Sequence, residues 1–200
     1  MKISDDLEKL LPFGYLFLIL MGILKDSIYY YQLGINILKY STITDVLMSP
    51  IAEFTSNPII LFTIISLFLT HIKLPKFLAK HHGNKLLQKM FELKPTTELT
   101  EKETKSYYNS VAIKSLAVIL LSFFLGYGMA GGYYMKNKLF ENEIKYESKV
   151  NFNDDKSEQI YLISANSLYY FYFTKGNDAI QIAPLGSVKN IELARVKKFF

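Results

Sequence analysis

The sequence predicts an integral membrane α-helical protein with about three transmembrane helices and a small C-terminal all-β domain, an SH3- or Sm-like barrel of about five strands. Three observations carry this. Residues 116–135 read LAVILLSFFLGYGMAGGYYM, twenty residues without a formal charge. As a helix they would reach about 30 Å, the thickness of the hydrocarbon core of a bilayer. Two further apolar runs lie upstream, around residues 10–31 and 58–74. From residue 146 onward, short β-branched and aromatic segments alternate with turn residues instead. The expected division is therefore a helical transmembrane domain over 1–145 and a β domain over 146–200.

Half of the 200 residues are apolar, and it is their clumping that signals a membrane. With no cysteine, disulfides and thiolate metal sites are excluded. Trp is also absent, so any aromatic belt must be built from tyrosine, and Tyr29, Tyr30, Tyr31, Tyr133 and Tyr134 stand where belts belong. The net charge of +5 sits beside apolar spans, where it reads as topology and headgroup contact rather than nucleic-acid binding. Asp5, Asp6 and Glu8 replace the basic start of a cleavable signal, so the first span is expected to be retained.

Taken in order, residues 10–24 are only 15 apolar residues, about 22 Å of helix. The span reaches adequate length by running through Lys25 and Asp26 to the tyrosines, with Lys25 snorkelling to the headgroups. Residues 32–56 are too polar to span and read as interfacial. Ser49-Pro50 and Asn57-Pro58 are both helix-start signals; the second opens the second span, and Leu74-Pro75 is expected to end it. A basic amphipathic loop over 76–110 follows, interrupted at Gly83 and broken at residues 94–97. Thr100 and Glu103 form a capping box, and nothing stops the helix they open before residue 135. Strands are expected at 146–152, 159–164, 167–174, 179–183 and 188–193, separated by turn signals at 153–155, 176–178 and 184–187.

Residues 73–110 hold eight lysines, whereas residues 32–56 hold one. The positive-inside rule then places the N-terminus in the cytoplasm of a cell with an inner membrane and the β domain outside.

Ser122, Gly126 and Ala130 recur every four residues, and Gly128 and Gly132 form a GxxxG on another face. Both are helix-packing or pore-lining candidates. Lys25 and Asp26 are intramembrane ionisable residues, the default mark of an ion path or an interhelical pair. In the run Tyr169–Phe173, alternation puts Tyr169, Phe171 and Phe173 on one face of a strand and Tyr170 and Tyr172 on the other, the second pair being the candidate partner surface. His71, His81 and His82 lack the spacing of a metal site. No phosphate-binding glycine loop, HExxH, GxSxG or cysteine nucleophile is present. The expectation is a non-enzymatic bacterial membrane protein without cofactor or metal.

The glycine- and alanine-rich third span followed by a β domain, together with the tail TKGNDAIQIAPLGSV at 174–188, resembles in element order the core of small-conductance mechanosensitive channels. That resemblance implies an oligomeric channel- or pore-like assembly with a soluble β regulatory domain. The alternative is a membrane-anchored sensor or adaptor of the defence or envelope-stress type, whose β domain binds a protein or small ligand. The expected partners are the lipid bilayer, further copies of the chain and a protein reached through the β domain.

Overall fold

A computed structural model describes residues 2–96, 99–141, 143–177 and 179–193, with side chains from residue 12 onward. Thr97 of the expected loop break, Asp178 of the expected fourth-strand turn, and residues 194–200 of the expected β domain lie outside the described residues. The helices are α1 (Lys2–Tyr31), α2 (Ile43–Ser56), α3 (Pro58–Lys80), α4 (Lys85–Phe91) and α5 (Glu101–Phe140); the strands are β1 (Ser148–Phe152), β2 (Ser157–Ala165), β3 (Tyr169–Thr174), β4 (Gln181–Pro184) and β5 (Val188–Glu192). Among the described residues, three helices are long and apolar enough to cross a membrane: Pro12–Tyr31, Pro58–Lys80 and Glu101–Phe140. The chain is a membrane protein by this measure. Ile59, Phe62 and Ile72 of α3 are all more than two-thirds exposed, which lipid tolerates and water does not.

Local signals explain most of the helix ends. The Asn57 side chain accepts from the backbone N–H groups of Ile59 and Ile60, with Pro58 at the first helical position. Glu103 accepts from the backbone N–H and hydroxyl of Thr100, closing the expected capping box. From there α5 runs 40 residues without a break, about 60 Å, twice what a bilayer core requires.

Two proline signals turned out otherwise. Pro75 lies inside α3, not at its end. The turn beyond it is held because Leu78 is fully buried and the His81 N–H closes onto the Phe77 and Leu78 carbonyls, which offsets the lost proline bond. Pro50 likewise sits inside α2 and is fully buried. That helix starts earlier, at a box made by Thr42 and Asp45: Asp45 accepts from the Thr42 backbone and hydroxyl, and the Thr42 oxygen accepts from the Asp45 N–H. At 14 residues, α2 is too short to span.

The chain divides into two compact units, residues 1–24 with 49–126 and residues 25–48 with 127–200. The unit that holds the sheet thus reaches back beyond the expected start at 146 to include the end of α1, the segment after it, and the end of α5. Its five strands form one antiparallel sheet in the order β4-β3-β2-β1-β5, and a 3-10 turn at Leu185–Ser187 joins the two edge strands. One face carries a core of Val150, Ile160, Tyr172 and Ala183, against which Leu162, Tyr170, Val188 and Ile191 pack. All five strands contribute to it. Tyr169 to Phe173 divide between faces as alternation requires, but the side holding Tyr170 and Tyr172 is the interior: Tyr172 is 3 % exposed, and burial followed by the Glu158 charge pushes its phenol up. The expected partner surface is therefore corrected. Alternation assigns the side chains to two faces but does not say which face packs inward. A bulge between Leu162 and Ser164 lets Ile163 join the opposite face.

That opposite face is covered by the chain between α1 and α2. Phe171, fully buried, packs with Tyr30 and Ile37, and Tyr29, Leu33, Tyr40 and Tyr169 close around them. Hydrogen bonds fix the same segment to the β2–β3 turn. Asn166 donates to the Tyr40 carbonyl, and Asp45 accepts from the backbone and hydroxyl of Ser167. Residues 32–45, expected at the membrane interface, are a cover for the sheet.

Burial pushes the Asp45 carboxyl up, but the bonds from Thr42 and Ser167 outweigh it and hold the group below its ordinary value of 3.8. A depressed carboxylate contributes stability that is complete above the unfolded pKa and lost as pH falls through the folded one. Acidification from about pH 5 to about pH 3 should therefore destabilise the wild type more than Asp45→Asn. The expected difference is about 1 kcal/mol after screening by solvent, read from thermal unfolding in detergent at each pH.

Candidate functional site at the helix–sheet junction

The two glycine patterns of α5 have different fates. Gly128 and Gly132 are buried where the last turns of α1 cross α5. A Cβ on Gly128 would collide with the Lys25 carbonyl oxygen, and one on Gly132 would meet the Tyr29 carbonyl at 2.8 Å and the Gln32 amide. Gly131 lies under the Tyr29 ring, 3.3 Å from where its Cβ would stand. The backbones approach as closely as a GxxxG permits, and Gln32 Nε2 donates across the crossing to the Met129 carbonyl at 3.0 Å. Ser122, Gly126 and Ala130, by contrast, are exposed, and a Cβ on Gly126 would meet nothing within 4 Å.

Lys25 and Asp26 sit at this crossing. Their charged ends are 3.5 Å apart and their side chains only 12 % and 20 % exposed, so each carries its countercharge with it into a low-dielectric setting. One turn further on, Tyr30 hydrogen-bonds through its hydroxyl to Ser164 of β2, and its ring lies 5.4 Å from that of Phe171. Lys138, near the end of α5, stands over the Tyr161 ring of β2 at 5.2 Å.

Between these elements lies a cavity of about 700 Å³, within the size range of small-molecule sites. Its walls come from the turn that follows α1 (Gln32, Leu33), the α5 end (Lys136, Phe140) and the sheet region (Phe173, Asn177). The lining is mixed, with apolar side chains and a few polar groups. Lys136 brings a positive charge and lies over the Phe140 ring at 5.8 Å; it belongs to none of the described ion pairs. Such a lining suits an amphipathic molecule with an acidic group. His81 and His82 are exposed, and both bond through Nδ1 to carbonyls of α3 one turn earlier.

The sequence picks out the glycines and the Lys25–Asp26 pair, but not what meets them. The cavity, the Tyr30–Ser164 bond and the Asp45–Ser167 bond all join residues more than 100 positions apart. Thr42 and Asp45, at capping-box spacing, were the one local signal available.

No family model, curated protein or solved structure matches this chain.

A matched pair of substitutions separates the two glycine faces. Gly132→Ala is expected to lower the melting temperature in detergent, with an overpacking cost of about 1–3 kcal/mol. Gly126→Ala, on the open face of the same helix, should leave it unchanged or raise it through helix propensity.

Proposed function

We propose that this chain is a non-catalytic, membrane-anchored sensor or adaptor subunit. Its β domain and the ends of α1 and α5 would read a small amphipathic, acidic ligand and pass its occupancy into the spans. The observation that carries this reading is the cavity at the junction, whose walls come from the turn after α1, the end of α5 and the sheet region. An occupant would touch all three at once, and the glycine crossing sets the α1 and α5 backbones directly against each other beside it. Ligand binding can shift such an element only through different contacts in its two states, and a cavity between elements supplies that difference.

In this reading the β domain is a closed small barrel of the SH3 or Sm type. Support comes from the strand order, the 3-10 turn between β4 and β5, and an inner cluster that unites Ala183 of one edge strand with Val188 and Ile191 of the other.

A second reading, an oligomeric channel- or pore-like assembly, is favoured by one observation. The Ser122, Gly126 and Ala130 face is exposed and unfilled, suited to close packing with another copy in lipid.

The discriminating experiment uses the detergent-purified protein with a panel of medium-chain fatty acids. On the sensor reading some of them raise its melting temperature, and Lys136→Glu abolishes the rise. If none does, and the protein instead forms a stable ring that conducts ions in planar bilayers, the channel reading replaces it.

The proposed orientation places the N-terminus and the α3–α5 connection in the cytoplasm of a bacterial inner membrane and the β domain outside, on the strength of the eight lysines in 73–110. Because the chain has no cysteine, Asn177→Cys is a unique reporter. A membrane-impermeant maleimide should label it in intact cells. Labelling only after lysis would reverse the orientation.

A further inference from the structure

Residues 54–91 carry five lysines, Lys73, Lys76, Lys80, Lys85 and Lys89, and no Asp or Glu. All five are exposed, and none belongs to a described ion pair. Three stand on the second half of α3 and two on α4. A run of one sign with no acidic residue among it is an attractive field for anions.

The short helix α4 separates two kinds of side chain. At 3.6 residues per turn, Leu86, Leu87, Met90 and Phe91 fall on one side, and Lys85, Gln88 and Lys89 on the other. Leu87 and Phe91 are half-buried. Leu86 is 78 % exposed and Met90 67 %, an apolar edge that water disfavours.

Hydrogen bonds fix where this edge lies. The Asn84 side chain accepts from the Leu86 and Leu87 N–H groups, and Gln88 Nε2 donates back to the His82 carbonyl at 2.7 Å. Glu92 then turns left-handed, with φ of 49°, and the Lys94 N–H donates to the Tyr107 hydroxyl of α5 at 2.7 Å. Tyr107 lies six residues before Ile113, the first large apolar side chain exposed on α5. Those six residues are about 9 Å of helix. The headgroup layer of a bilayer is about 5–8 Å deep on each side. The tie from Lys94 therefore stands at the outer edge of that layer, and α4 lies between it and the end of α3.

We propose that α4 is a membrane-surface anchor that binds the anionic phospholipids of the leaflet from which α3 emerges. Leu86 and Met90 enter the acyl boundary, while Lys85 and Lys89 extend to the phosphates, joined by the lysines at the end of α3. In the orientation proposed above this is the cytoplasmic leaflet. The inference is independent of the ligand proposed for the junction cavity, which lies in the other unit.

Because the chain has no cysteine, spin labels at Met90→Cys and, separately, Gln88→Cys report the two sides of α4 in the full-length protein. The protein is placed in phosphatidylcholine nanodiscs with or without phosphatidylglycerol. Collisions of each label with oxygen, which concentrates in lipid, are compared with collisions with a water-soluble nickel chelate. With phosphatidylglycerol present, the label at 90 should favour oxygen and the label at 88 the chelate. Adding Lys85→Gln and Lys89→Gln should lower the ratio of bound to free α4 roughly tenfold or more, the effect of two lysines at an anionic surface. Omitting phosphatidylglycerol should lower it too. Equal accessibility of the two positions, or an oxygen preference at 90 indifferent to both phosphatidylglycerol and the lysines, would overturn the proposal. So would a label at 90 shielded from both probes, which would put a second copy or another protein on this edge.

Discussion

The contact on which the sheet-bearing unit depends is the one between the backbones of α1 and α5 at Gly128 and Gly132. Two helices can come this close only where side chains are missing. The approach brings the Lys25 and Tyr29 carbonyls against α5 and lets Gln32 bond across to Met129. It also sets where Tyr30 points. With the α1 end pinned, Tyr30 reaches Ser164 and Phe171, and the chain that follows lies across the outer face of the sheet. A larger residue at either glycine would displace the whole cover.

The cover answers a size problem. The β segment spans fewer than fifty residues from Ser148 to Glu192, a scale at which a single core is marginal. Its inner cluster, centred on Val150, Ile160 and Tyr172, uses one face. The other face would leave Phe171, Tyr169 and Ile182 in water. Residues 30–40 bury that face with Tyr30, Ile37 and Tyr40, and the Asp45–Ser167 and Asn166–Tyr40 bonds hold the edges down. Each sheet face thus has apolar partners, one set from within the sheet and one from the membrane helix and its extension.

This arrangement explains what was legible in the sequence. Helix starts at Asn57 and Thr100 depend on residues two and three positions away, and both were readable. The strands were readable too, because β-branched and aromatic runs fall between turn residues. The two prolines misled, because a proline's local cost was outweighed by burial of Leu78 beyond Pro75 and of Pro50 itself. Tyr170 and Tyr172 were rightly set apart from Phe171, but the choice of inner face rests on partners in the other four strands. For the candidate sites the same division holds. Gly128 and Gly132 stood out as small residues, whereas the Lys25 and Tyr29 carbonyls that require them have no sequence signature.

The cover of the sheet also has a consequence for biogenesis. Tyr30, Ile37 and Tyr40 emerge from the ribosome long before Ser164 and Phe171, whose separation from them in the chain exceeds 120 residues. Closing so long a loop must wait until α3 and α5 have been inserted. Through that interval the segment between α1 and α2 is a nascent chain with its aromatic side chains bare. Membrane insertion and sheet formation are therefore ordered events, and the sheet acts as the last checkpoint of assembly: a chain whose α5 failed to insert would keep those aromatics exposed to chaperones and proteases.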